Sequence, residues 1–177
     1  LNLTNGTIVS GNEFWVGGDC QTGSTAYGTL NQSGGSVSSA AWLCVGRSGN
    51  GGTSIGTYNL SGGTVTAATS TVGSFLTIGS LAGGDGTMNV SGGSVMVASS
   101  RRLFVGEGGT GTLNTAGETW AGGGTLLWDV NARPSDGTAG TNWDFINVNG
   151  GLNITATSAE SFTISINGTL TGVLPFS

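Results

Sequence analysis

Histidine and lysine are absent from the 177 residues, and all side-chain positive charge rests on Arg47, Arg101, Arg102 and Arg133. Without histidine no Ser/His/Asp or Cys/His arrangement is possible, and the commonest general base and a frequent metal ligand are missing. Any catalysis would have to run on carboxylates and arginine. Four cations against nine acids leave a formal charge of −5. A surface so poor in cations cannot neutralise a run of phosphates, so the reading is no nucleic acid and no membrane insertion. Charged residues make up only 7% of the chain, where globular domains carry about 25%. No run of about 20 apolar residues occurs, so no spanning helix is expected. No signal peptide is visible either. The first residues, "LNLTNGTIVSG", are already in phase with the repeat described below, which reads as a mature or truncated start. Export is inferred instead from the Ser/Thr/Asn/Gly composition and the lack of lysine.

Cysteine is scarce as well. Cys20 and Cys44 are too few for a disulfide scaffold and lack zinc spacing. Their separation of 24 residues is close to one repeat, so a Cys20–Cys44 bridge and two small apolar residues stay open as alternatives.

What the chain has in abundance is glycine, 36 residues of it, and a phrase that recurs. "GTLNQSGGSV" begins at Gly28, "GTYNLSGGTV" at Gly56, "GTMNVSGGSV" at Gly86 and "GTLNTAGETW" at Gly111. The asparagines Asn2, Asn31, Asn59, Asn89 and Asn114 are spaced by 29, 28, 30 and 25 residues. A second marker follows in each of four copies, "FWVGG" at 14, "LCVGR" at 43, "LTIGS" at 76 and "LFVGE" at 103. Periods of this length decide a fold before any local reading does.

Within a copy the apolar period is two, as in a strand. The expected core is Leu30, Tyr58, Met88 and Leu113 before the asparagine; Ile8, Val37, Val65 and Val95 after the turn; and the pairs Phe14/Val16, Leu43/Val45, Leu76/Ile78 and Leu103/Val105. The "SGG" between the first two strands, and "NG" at Asn5, are turn signals. Short strands at glycine corners, in copies that cannot bury their own apolar residues, predict an all-β fold. The expected architecture is a β-solenoid (parallel β-helix) of about five coils, with like residues stacked on like. The solenoid repeats are placed at 1–116 and a divergent β-rich C-terminal segment, further coils or a cap, at 117–177. Between the marker residues an outward column reads Trp15, Cys44, Thr77 and Phe104. It is expected either to be covered by a neighbouring segment or, at Trp15 and Phe104, to form an exposed contact column for another chain.

The "GTLNxSGGxV" and "LxVG" copies, together with "GGTLLWDV" and "GTAGTNWDFINVNGGLNI", resemble the bacterial secreted β-solenoid proteins known as autotransporter-associated β-strand repeats. That resemblance covers nearly the whole chain. It implies a secreted or surface-displayed solenoid with structural or adhesive roles. The chain departs from such proteins in showing no translocator barrel and no sorting signal.

Three chemistries can be weighed against the scaffold. Asp129, Asn131, Asp136 and Asp144 offer hard oxygen ligands around one long turn, a candidate calcium site set against ordinary turn formation. "GGDGTM" at 83 to 88 begins like a calcium-binding nonapeptide, but Met88 stands where its second aspartate belongs. Asp129 and Asp144, near Trp128, Trp143 and Arg133, are the carboxylates that a polysaccharide-cleaving β-helix would use. Seven N-x-S/T sequons occur, at Asn2, Asn5, Asn31, Asn59, Asn89, Asn153 and Asn167, of which those in the repeat phrase read as a ladder of asparagines from coil to coil. The leading expectation is therefore a non-enzymatic extracellular structural or adhesive solenoid without a cofactor, self-associating head-to-tail or belonging to a larger parent chain. The alternative is a carbohydrate-binding or polysaccharide-cleaving β-helix acting on surface glycans.

Overall fold

The computed structural model describes residues 1–18, 21–70, 74–98, 101–116, 118–120, 125–130, 145–148, 152–154, 156–159 and 161–168. The described residues are strands and corners with no helix. The first coil comprises β1 (Asn2–Leu3), β2 (Thr7–Ser10) and β3 (Phe14–Gly18), and the second β4 (Thr25–Gln32), β5 (Ser36–Ser39) and β6 (Leu43–Arg47). The third holds β7 (Thr53–Leu60), β8 (Thr64–Ala67) and β9 (Phe75–Ser80), and the fourth β10 (Gly84–Val90), β11 (Ser94–Val97) and β12 (Arg102–Val105). Two further rungs follow as β13 (Thr110–Thr115), β14 (Glu118–Trp120) and β15 (Thr125–Val130), then β16 (Phe145–Val148), β17 (Leu152–Ile154) and β18 (Thr163–Gly168).

Every strand pairs in parallel with its counterpart one coil away, as a β-solenoid requires. Side one is the six-stranded sheet β1-β4-β7-β10-β13-β16, side two the four-stranded β2-β5-β8-β11, and side three the six-stranded β3-β6-β9-β12-β15-β18. In the last two rungs side two gives way to a separate pair, β14 with β17. The divergent segment thus continues sides one and three while breaking side two, where Glu118 takes the place of a repeat glycine.

The core is a bundle of columns. Leu30, Tyr58, Met88 and Leu113 lie in register on side one, Ile8, Val37, Val65 and Val95 on side two, and Leu43, Leu76 and Leu103 on side three. Together with Val16, Val45, Ile78 and Val105 the buried ones among them form one hydrophobic cluster, against which the partly buried Ile8, Phe14, Val95 and Leu103 pack. At about 25 cal/mol per Å² of apolar surface removed from water, this narrow seam is the main stabilising term. It exists only because coils stack, since one coil exposes its own column ends.

Two glycines of the "SGG" turn do different work. The second takes the left-handed conformation that side chains resist, with φ of +86° at Gly63. The first, Gly62, has no such φ, but a Cβ there would come within 2.5 Å of the Ser33 carbonyl oxygen in the coil before.

Beside this corner the repeat asparagines form a hydrogen-bonded ladder. Asn31 Nδ2 donates to Asn2 Oδ1 at 2.8 Å, Asn59 to Asn31 at 2.8 Å, Asn89 to Asn59 at 2.7 Å and Asn114 to Asn89 at 2.8 Å. Asn147 of β16 stands next in register. Replacing Asn59 by alanine removes two rungs of the ladder. We expect a loss of about 1–2 kcal/mol, read as a lower urea midpoint at unchanged slope. An unshifted midpoint would show that the ladder adds nothing to stability.

Candidate functional site

Three features of the surface and interior carry polar or aromatic chemistry: the outer layer of side three, a buried polar pair in the core, and the strand edges of the first coil.

Side three alternates inward and outward residues, and its outward columns are Glu13, Trp42, Phe75 and Arg102 beside Trp15, Cys44, Thr77 and Phe104. The large members interlock. Trp42 and Phe75 meet edge to face with ring centroids 5.1 Å apart, and Phe75 and Phe104 do the same at 4.9 Å. The Arg47 guanidinium sits 4.5 Å from the Trp15 ring centroid and 5.8 Å from that of Trp42, and Arg102 lies 5.9 Å from Phe75. Such cation–π contacts contribute about 0.5–1 kcal/mol each at exposed sites. With these large side chains in the outward columns around them, Cys44 and Thr77 are fully buried on what is nominally the solvent face.

This corrects one expectation. Phe104 is 5% exposed, because Phe75 packs on its ring, so it does not form an exposed contact column. Trp15 is 36% exposed, yet its indole N–H donates to Glu13 Oε2 at 2.7 Å and Arg47 stacks on its ring. Trp42, Phe75 and Arg102 were not anticipated as a group. The signal was present, since each stands immediately before the "LxVG" marker leucine or its equivalent.

Cys44 carries a free, buried thiol. It pairs in register with Trp15, and Cys20, the other half of the bridge considered above, lies outside the described residues. Burial pushes the Cys44 thiol up to about 12 from 9.0. The neighbouring Thr77 hydroxyl and Arg47 pull it down only in part, and Thr77 Oγ1 makes no hydrogen bond of good geometry. A raised acid holds its proton in the folded state while the unfolded thiol ionises near its ordinary value of 9.0. Stability is therefore whole below pH 9 and falls as pH rises toward 12. The slope approaches about 1.4 kcal/mol per pH unit for one group. Burial raises Tyr58 in the same direction, adding to the loss above pH 10. Urea midpoints measured from pH 7 to 10 should decline only past pH 9, and Cys44→Ala should flatten that decline. An equal decline in the variant would remove the thiol as its cause.

In the core, Tyr58 and Gln32 are both buried. The Tyr58 hydroxyl donates to Gln32 Oε1, and Gln32 Nε2 donates to the carbonyls of Gly35 and Thr64, each at 3.2 Å. The pair is saturated internally and sealed from solvent, so it has structural and not catalytic access.

Of the calcium candidates, Asp129 lies in β15 opposite Asn167 of β18, and Asn131, Asp136 and Asp144 lie outside the described residues, as do Trp143 and Arg133. Trp128 is in β15. Asp85 of the "GGDGTM" stretch is exposed on β10 between Ile55 and Thr110. Among the described residues no three His, Cys, Asp or Glu side chains group to hold a metal.

At the start of the solenoid β1, β2 and β3 are all end strands of their sheets, so three strand edges face the same way in phase. Asn2 accepts from Asn31 through its carbonyl oxygen, and its own amide N–H₂ has no described acceptor. Val9, 71% exposed, lies on the same rung. No protein-family model, curated protein or solved structure matches the chain.

Proposed function

We propose that this chain is a non-enzymatic structural or adhesive solenoid of an extracellular surface, extended by adding rungs to the edge formed by β1, β2 and β3. The observation that carries the reading is the in-register parallel stacking of whole rungs, with an asparagine ladder that runs from coil to coil. One rung of such a stack is a template for the next, and the ladder has polarity: each residue donates backward and accepts from the next. A preceding rung must therefore present a carbonyl oxygen to Asn2, as another rung of this repeat would. The interior supports the same reading. Among the described residues its apolar columns form one continuous cluster, the Tyr58–Gln32 pair is saturated, and the aromatic rings of side three pack on one another.

Light scattering and negative-stain electron microscopy over a concentration series test it. The expected result is end-to-end oligomers of constant width, abolished by Val9→Lys, which sets an unmatched charge on the edge. Discrete single particles at the highest concentration reached would remove head-to-tail assembly.

A further inference from the structure

The outer face of side one displays two columns, each of a single residue type. Thr29, Thr57, Thr87 and Thr112 are in direct register. Two residues further along the same strands stand Asn31, Asn59, Asn89 and Asn114. Leu30, Tyr58, Met88 and Leu113, between them, are buried, so both columns point outward. Each asparagine is held by its ladder bonds. Threonine is stiff at χ1 by its branching, and the four threonine hydroxyls hydrogen-bond to no described residue.

The geometry is a fixed ladder of two columns and four rungs. Parallel strands set like residues about 4.8 Å apart across the sheet, and alternate residues recur about 6.6 Å apart along the strand. Neither column contains a charge. The next column, Tyr27, Ile55, Asp85 and Thr110, bounds the lattice with an aromatic ring and a carboxylate.

The occupant must match what the face offers. A small solute uses one position of a lattice and gains nothing from the other seven. A face of regular rungs, uncharged and rigid, is complementary to a crystal surface that repeats at the rung spacing. Its hydroxyl and amide groups ask for water as partner, while its methyl groups ask for voids between water molecules. The prism planes of hexagonal ice have a repeat close to the spacing between rungs. Charged groups would hold hydration water in shells that do not fit that crystal, and both columns lack them.

We propose that the threonine and asparagine face of side one binds ice, ordering water between the methyl and hydroxyl groups into positions the crystal can continue. The threonines supply the contact, and the asparagine ladder keeps the rungs in register. End-to-end growth of the solenoid would lengthen the lattice, but one copy carries it without assembly.

The test grows ice slowly from a dilute solution of the whole chain and compares the protein frozen in with that left in the liquid, using a globular protein of similar size as the excluded reference. Wild type should be enriched in the ice several-fold over the reference and should slow recrystallisation of fine-grained ice. Thr57→Tyr sets a ring in the middle of the lattice and should fall to the reference. Thr66→Tyr, at an outward position of side two, should keep the wild-type value; circular dichroism confirms that both fold. Thr87→Ser keeps the hydroxyl, removes the methyl and adds no bulk. It should lower the enrichment, which makes the result independent of whether Thr57→Tyr folds. Exclusion of wild type from ice overturns the proposal, as does full activity of Thr57→Tyr or Thr87→Ser, or retention on microcrystalline cellulose or chitin with no enrichment in ice.

Discussion

Replacing Gly56 by alanine is expected to destabilise the solenoid by about 3 kcal/mol or more, the upper end of what overpacking costs, and at that cost the chain can fail to fold. The residue requires no left-handed φ, so the effect is steric. A Cβ at Gly56 would lie 2.1 Å from the Val16 carbonyl oxygen and 2.2 Å from the Gly46 amide nitrogen. These are backbone atoms of side three, and backbone cannot rotate aside as a side chain can. The contact repeats up the stack: a Cβ at Gly28 would meet Gly17 N at 2.1 Å, at Gly86 the Val45 oxygen at 2.1 Å, and at Gly111 Gly106 N at 2.3 Å. Sides one and three are thus pressed together backbone to backbone along a glycine seam, and one methyl group must wedge them apart. Gly6→Ala is the companion variant. Its φ is +85°, and nothing lies within 4 Å of the added Cβ, so it isolates the conformational cost of about 1–2 kcal/mol. Urea denaturation followed by tryptophan fluorescence ranks the two. A Gly56→Ala chain as stable as Gly6→Ala would mean that the sheets do not touch there.

That seam also shows where the sequence was legible and where it was not. The period of two and the recurrence of "GTxN" and "LxVG" specify which residues stack and which face inward, because in a solenoid those are local facts repeated once per coil. The core columns and the asparagine ladder follow from them directly. The glycine of each phrase was legible only as a marker. Its reason is that Gly46 and Gly56, which belong to strands of different sides, meet across the interior, and no local pattern encodes such a distance. The same limit applies to side three. Alternation placed Cys44 and Thr77 toward solvent, as their strand positions require, but their burial depends on the larger residues of the outward columns around them. Asn147 escaped notice because the long insertion before β16 breaks the spacing, although register places it opposite Asn114.

Substituting Tyr58 by alanine is the other change expected to have a large effect, and its interest lies in what smaller changes at the same place should do. Tyr58 is among the largest fully buried side chains. Its truncation should cost about 3–5 kcal/mol through the cavity left behind, and the buried Gln32 carbonyl loses its donor as well. Tyr58→Phe keeps the ring and removes only the hydroxyl, so it should cost about 1–3 kcal/mol, the penalty of leaving Gln32 Oε1 unsatisfied. Adding Gln32→Leu to Tyr58→Phe fits the column, where Leu3 and Leu60 are the neighbours of Gln32. It removes the orphan, but it also strips the Gly35 and Thr64 carbonyls of a donor. Recovery should therefore be partial, with a measurable coupling between the two positions in a double-mutant cycle. A cycle with no coupling would mean that the hydroxyl and the amide do not bond. The pair has a further consequence because it is not repeated. In the leucine column of side three and in the asparagine ladder, a shift of one whole coil still pairs leucine with leucine and asparagine with asparagine. Only the second and third coils carry Gln32 and Tyr58, so the bond between them distinguishes that junction from every other. The doubly apolar variant is expected to refold with more than one phase where the wild-type chain shows one, as mis-stacked coils form and separate. Single-phase refolding of both chains in a stopped-flow experiment would show that the pair stabilises the core without specifying its register.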